Sequence, residues 1–168
     1  MVNCFSNRAV MKFVFRIVLL FSLCGIFSSA HAQTFQWAKG AYGTGSDEGW
    51  DIATDDSGNV YVTGFFQSPF TVFGVDTIFN HSGAYDVFLT KYDSTGNVLW
   101  TKSAGGANSD LSCGVATDDS GNVFIAGYFQ SDSITFGSVT LNNPGGGCTI
   151  FIVKYDPAGN VMWAKNSV

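Results

Sequence analysis

Asp55-Asp56-Ser57-Gly58-Asn59-Val60 and Asp118-Asp119-Ser120-Gly121-Asn122-Val123 are the same six residues, starting 63 positions apart. Lys91-Tyr92-Asp93 returns as Lys154-Tyr155-Asp156 at the same offset, and Trp37, Trp100 and Trp163 mark one point three times. Laying Ala38 to Trp100 over Thr101 to Trp163 needs no gap and gives 30 identities in 63 pairs, so the chain is an internal repeat.

Within each unit, short apolar runs rich in β-branched and aromatic residues alternate with Gly, Asn and Asp. In the first unit the runs are Trp50 to Thr54, Asn59 to Phe66, Asp86 to Tyr92 and Asn97 to Lys102. Four strands per unit follow. The links Asp56-Ser57-Gly58-Asn59 and Asp93-Ser94-Thr95-Gly96-Asn97 read as tight hairpins, with Asp accepting backbone N–H bonds and Gly supplying a positive φ. The connection between strands two and three is longer, Gln67 to Tyr85 and Gln130 to Cys148, and its Phe-Gly pair predicts a small hairpin of its own.

The strands are apolar on both sides. Val60 and Val62 point one way and Tyr61 and Phe65 the other; Val123 and Ile125 oppose Phe124 and Tyr128. A sheet with one wet face alternates apolar with polar, so both faces here require cover, and neighbouring units can supply it. The expected fold class is all-β: propeller blades of four antiparallel strands in two 63-residue repeats, an incomplete propeller after an N-terminal signal peptide. The expected boundaries are a signal peptide at 1–32, an orphan fourth strand at 33–41, blade 1 at 42–104 and blade 2 at 105–168. Two blades do not close a ring, so further blades in cis or self-assembly are expected.

The leader reading rests on Ile17 to Phe27, an apolar run too short to span a bilayer, with Lys12 and Arg16 before it and Ala30-His31-Ala32 after it. Met11 is a possible true start. Cleavage after Ala32 removes Arg8, Lys12 and Arg16 and leaves five lysines against thirteen acids. So acidic a chain is a poor partner for nucleic acid, and no membrane span remains after cleavage. The expected location is secreted, extracellular or cell-surface.

The motif series Gly58-Asn59-Val60-Tyr61-Val62-Thr63-Gly64, Phe73-Gly74, Asp86-Val87-Phe88, Lys91-Tyr92-Asp93, Gly96-Asn97 and Trp100 resembles the SBBP-type β-propeller repeats of bacterial exported proteins, notably of Bacteroidetes type. The resemblance implies a surface scaffold or adhesion module that binds extracellular protein or glycan, with no general catalytic residues. The alternative is the N-terminal piece of a larger exported enzyme whose catalytic residues lie outside this chain.

Nothing in the residues assembles an active site. His81 is the single histidine after position 32 and Glu48 the single glutamate, and their counterparts one period on are Pro144 and Leu111. A general acid and base therefore lack partners, both residues read as solvated, and no catalytic residue is assigned. The Asp pairs at the turns invite a calcium reading, but the alternate spacing of a calcium loop is missing and hairpin geometry accounts for them. No metal site and no cofactor are expected, with a calcium-stabilised repeat array as the alternative. The long loops differ most between units, which makes Phe70 and His81 candidate binding residues. Cys113 and Cys148 stand one period after Trp50 and Tyr85, aromatics expected to touch, which suggests a disulfide worth about 3–4 kcal/mol. Strand two lies between their strands and stands against the bridge; two free thiols are the other reading.

Overall fold

The computed structural model describes residues 36–167, and the leader expected at 1–32 lies outside them. Twelve strands follow in order: β1 (Asp47–Thr54), β2 (Val60–Phe66), β3 (Phe70–Phe73), β4 (Asp76–Phe79), β5 (Asp86–Tyr92), β6 (Val98–Ala104), β7 (Asp110–Thr117), β8 (Val123–Phe129), β9 (Ser133–Phe136), β10 (Val139–Asn142), β11 (Thr149–Tyr155) and β12 (Val161–Asn166). Blade 1 is the antiparallel sheet β1-β2-β5-β6 and blade 2 the sheet β7-β8-β11-β12. The expected extra hairpin is present in each long connection, as β3–β4 and β9–β10.

Both blades use one set of local devices. The Gly58 N–H donates to Asp55 O at 2.9 Å and the Asp55 N–H to Asn59 O at 3.1 Å, which closes the first hairpin with Gly58 at φ 76°. Gly121 repeats this with Asp118 at 2.8 Å. The innermost strand of each blade bulges at one point, Trp50 in β1 and Cys113 in β7, where the register skips a residue. Opposite the bulge sit Gly64 and Gly127. A Cβ on Gly64 would fall 1.9 Å from Glu48 O, and one on Gly127 2.0 Å from Leu111 O, so the backbones approach closer than any side chain allows.

The cores form at the faces. Blade 1 turns its back (Val60, Val62, Phe66, Phe88, Tyr92) toward its own β3–β4 hairpin, where Phe73 meets Phe88 with ring centroids 5.0 Å apart. Its front (Tyr61, Val87, Leu89) packs on the back of blade 2 (Val123, Ile125, Phe129, Phe151, Val153) in one continuous cluster. In blade 2 the β9–β10 hairpin repeats the cover, with Phe136 on Phe151 at 4.9 Å.

Of the orphan fourth strand expected at 33–41, residues 36–41 are described and carry no strand; Tyr42, just beyond, pairs through bonds of 3.0 and 2.9 Å with Val72 of β3. A fourth strand takes its hydrogen bonds from the third strand of its own unit, and that strand is not among the described residues. The tryptophan nonetheless sits where the repeat expects it: Trp37 stacks on Tyr92 at 5.9 Å and donates its indole N–H to Ser94 O at 3.1 Å.

Gly127→Ala is expected to lower the unfolding free energy by about 3 kcal/mol or more in urea titrations. Gly145→Ala, where an added Cβ meets nothing within 4 Å, serves as the control. Equal stability of the two variants would contradict the close approach.

Candidate functional site

The functional geometry centres on the joint between the blades and on the surface that repeats it. Apolar contact supplies most of the joint, and polar ties fix its register. The Val115 N–H of β7 donates to Asp51 Oδ2 of β1 at 2.8 Å, and Thr117 Oγ1 donates to Thr54 O at 2.9 Å. On the outer side Lys91 Nζ and Trp100 Nε1 both donate to Pro157 O at 3.2 Å. The Trp37–Ser94 bond is that same contact one period earlier.

The front of blade 2 has the chemistry of the front of blade 1 without the cover. Val87 and Leu89 are 2% and 1% exposed, whereas their counterparts Ile150 and Ile152 are 64% and 41% exposed. Every residue of β5 is buried, while β11 alternates buried and exposed from Thr149 to Val153. Lys154 lies 4.8 Å over the Phe124 ring, as Lys91 lies 5.1 Å over Tyr61, and Trp163 meets Phe124 edge-on as Trp100 meets Tyr61. One substitution tightens an ion pair. In blade 1 the Tyr61 hydroxyl donates to Asp55 at 3.0 Å and Lys91 Nζ lies 4.0 Å from Asp55 Oδ2; Phe124 has no hydroxyl, and Lys154 Nζ approaches Asp118 Oδ2 to 3.2 Å.

The aspartates at the turns are engaged as backbone acceptors. Asp118 Oδ1 accepts from the N–H groups of Ser120 at 3.0 Å and Asn122 at 2.9 Å, and Asp55, Asp93 and Asp156 do the same in their own turns. Hydrogen bonds from Asn97 hold Asp93 down to about 2, and hydrogen bonds from the Asn122 side chain, against some desolvation, hold Asp118 at about 2. Among the described residues no three metal-ligating side chains come together.

Two further acids hold the long connections. Asp110 is wholly buried: its Oδ1 accepts from the N–H of Gln130 at 3.0 Å and of Ser131 at 3.2 Å, and its Oδ2 from Ser131 Oγ at 2.8 Å. Asp47 makes the same clamp on Gln67 and Ser68. Each clamp holds the long connection at the end of strand two. Ser46-Asp47 recurs as Ser109-Asp110 and Gln67-Ser68 as Gln130-Ser131, and these identical pairs are the signal in the sequence that marks it.

His81 is not simply solvated. Its Nδ1 lies 2.7 Å from Oδ2 of Asp86, which is wholly buried, and its backbone N–H donates to the same oxygen at 2.8 Å. Burial raises Asp86 despite these bonds, and its Oδ1 has no hydrogen-bond partner among the described residues. Thr149 replaces Asp86 in blade 2, so the pair belongs to blade 1 alone. Phe70 opens β3, 40% exposed, and pairs in register with Phe79. Phe70 and His81 stand at the two ends of the connection in sequence, and the hairpin brings those ends together: Phe70 faces Phe79, and the Asn80 N–H donates to Pro69 O at 3.1 Å.

Cys113 and Cys148 are free, exposed thiols, so the disulfide is not formed. The parallel with blade 1 explains why. Trp50 and Tyr85 do not meet; Phe65 stands between them, with ring centroids 5.2 Å from Trp50 and 4.7 Å from Tyr85. Tyr128 occupies the Phe65 position on β8, leaving the cysteines on strands either side of it, farther apart than a disulfide spans. Cys148 Sγ instead accepts from Gln130 Nε2 at 3.2 Å.

Two four-stranded antiparallel sheets, joined front to back at a repeated interface, define a β-propeller-type repeat. An uncharacterized WD repeat-containing protein of Acanthamoeba polyphaga mimivirus, L264, is 34% identical to this chain over 127 residues, or 67% of the chain. The chain spans 9% of that relative's length. No protein-family model matches it.

Asp93 and Asp118 ionise at lower pH in the fold than at their ordinary value of 3.8. Their contribution is therefore present above pH 3.8 and lost as pH falls through about 2. Denaturant titrations stepped across this window should show a shallower acid loss for Asp93→Asn with Asp118→Asn than for the unaltered chain. Identical pH slopes would contradict the turn assignment.

Proposed function

We propose that the chain is part of an exported or cell-surface propeller scaffold of the SBBP type, binding protein or glycan without catalysis and without a cofactor. The observation that carries this reading is the front of blade 2, an apolar surface of the same design as the one blade 1 uses to hold blade 2. The residues with acid–base chemistry support it as well. The turn aspartates cap hairpins, Asp47 and Asp110 clamp loops, and His81 is tied to Asp86. The WD repeat likeness agrees with a scaffold that works by contact. On this reading rigid blades present variable connections, with Phe70 and Phe79 an apolar pair on one of them.

Protein collected outside the producing cell, sized by sedimentation and weighed by mass spectrometry, tests the proposal. It is expected to begin at Gln33 and to associate with rising concentration. The pair Ile150→Lys and Ile152→Lys is expected to keep it monomeric. Retention of residues 1–32 would overturn the export reading, and an unaltered chain that stays monomeric throughout would overturn the role of the face.

A further inference from the structure

The β3–β4 hairpin has one covered face and one open face. In its register Phe70 stands opposite Phe79 and Val72 opposite Thr77, so these four side chains share one face, while Thr71, Phe73 and Ile78 share the other. The second face is buried, with Phe73 and Ile78 in the core of blade 1. The first turns to water, and Tyr42, bridged to Val72, extends it across a third backbone segment. Tyr42 is 68% exposed, Phe79 66% and Phe70 40%. The one charged residue of β3 and β4, Asp76, pairs with Phe73 and so belongs to the covered side.

Blade 2 shows what the same hairpin needs for folding alone. Its covered side keeps buried apolar residues, Ile134, Phe136 and Leu141. On its open side Ser133, Thr135, Thr140 and Asn142 stand in the places of Phe70, Val72, Thr77 and Phe79, and the Thr135 and Thr140 hydroxyls bond each other at 3.0 Å. All four stay exposed although blade 1 is joined to blade 2, so the joint does not cover this face of a hairpin. The rings on the hairpin of blade 1 therefore serve neither core nor joint. They expose on the order of 350 Å², less than half of the ~800 Å² that each partner buries in a stable protein–protein interface. A second copy or a folded protein needs more than this face offers. An extended peptide would lay its N–H and C=O groups on rings that cannot bond them, and Tyr42 already holds the edge of β3. An uncharged face gives no hold on an anion. A pyranose with equatorial substituents differs on each count. Its flat sides carry C–H groups, which the electron-rich faces of aromatic rings attract, and its hydroxyls point outward to water.

We propose that the open face of the β3–β4 hairpin binds a neutral glycan of equatorially linked hexoses, stacked on Phe70, Phe79 and Tyr42. The inference rests on the scaffold reading for the breadth of ligand it narrows, and its test is separate: a retained leader or a chain that stays monomeric would overturn that reading and leave the binding result standing. Chemical-shift titration of the purified chain with cellopentaose should move the ring signals of Phe70, Phe79 and Tyr42 saturably. Phe79→Leu keeps an apolar side chain but removes the ring, and should weaken binding about tenfold. Phe70→Ser with Phe79→Asn installs the residues that blade 2 carries and should abolish binding. The buried Phe73 and Phe88 signals, unmoved in both variants, report that the fold persists. The proposal is overturned if cellopentaose gives no saturable shift at tens of millimolar or if Phe79→Leu keeps the full affinity. It is equally overturned if a proline-rich peptide, phosphatidylcholine vesicles or the rising concentration of the chain itself moves these signals in place of the glycan.

Discussion

A β-sheet that is apolar on both faces cannot be left in water on either one, and the rest of this structure answers that constraint. Blade 1 meets it twice, with the β3–β4 hairpin over its back and blade 2 over its front. Burying a side chain of the size of Leu89 contributes about 2 kcal/mol, and the joint repeats such burial at Tyr61, Val87, Phe129, Phe151 and Val153. Polar ties then select one register from the many that an apolar contact permits. Asp51 on Val115 fixes the inner edge, and Lys91 with Trp100 on Pro157 fixes the outer.

The joint also orders the functional features around it. The front of blade 2 repeats the apolar design of the front of blade 1, and Ile150 and Ile152 on it are exposed. On the outer side Trp100 and Lys102 reach over a turn whose Gly159 leaves space for them. The Asp47 clamp holds the connection that carries Phe70 and His81, and the Asp110 clamp holds its counterpart in blade 2.

Much of this was legible from residues alone, since period-two alternation and turn chemistry are local. The 63-residue offset located both blades, the Asp and Gly positions located the hairpins, and Phe73-Gly74 marked the inserted one. What the sequence left out is set by non-local neighbours. Alternation assigns Ile150 and Val87 to the same face but is silent on which is covered. Trp50 and Tyr85 look like partners by covariation with Cys113 and Cys148, yet an intervening strand places Phe65 between them. Residues 36–41 match a fourth strand in composition but have no edge to pair with, so only Trp37 keeps its station. The burial of Asp86 beneath His81 has no counterpart in the second unit and so left no repeat signal.

The most direct measurement compares Leu89→Ala with Ile152→Ala in equilibrium unfolding of the monomeric chain at low concentration. The two positions are equivalent in the repeat and similar in side chain; they differ in cover, 1% against 41% exposed. The account predicts a loss of about 2–4 kcal/mol at Leu89 and under about 1 kcal/mol at Ile152. Equal losses at the two positions would mean that blade-on-blade cover is not what holds the fold together.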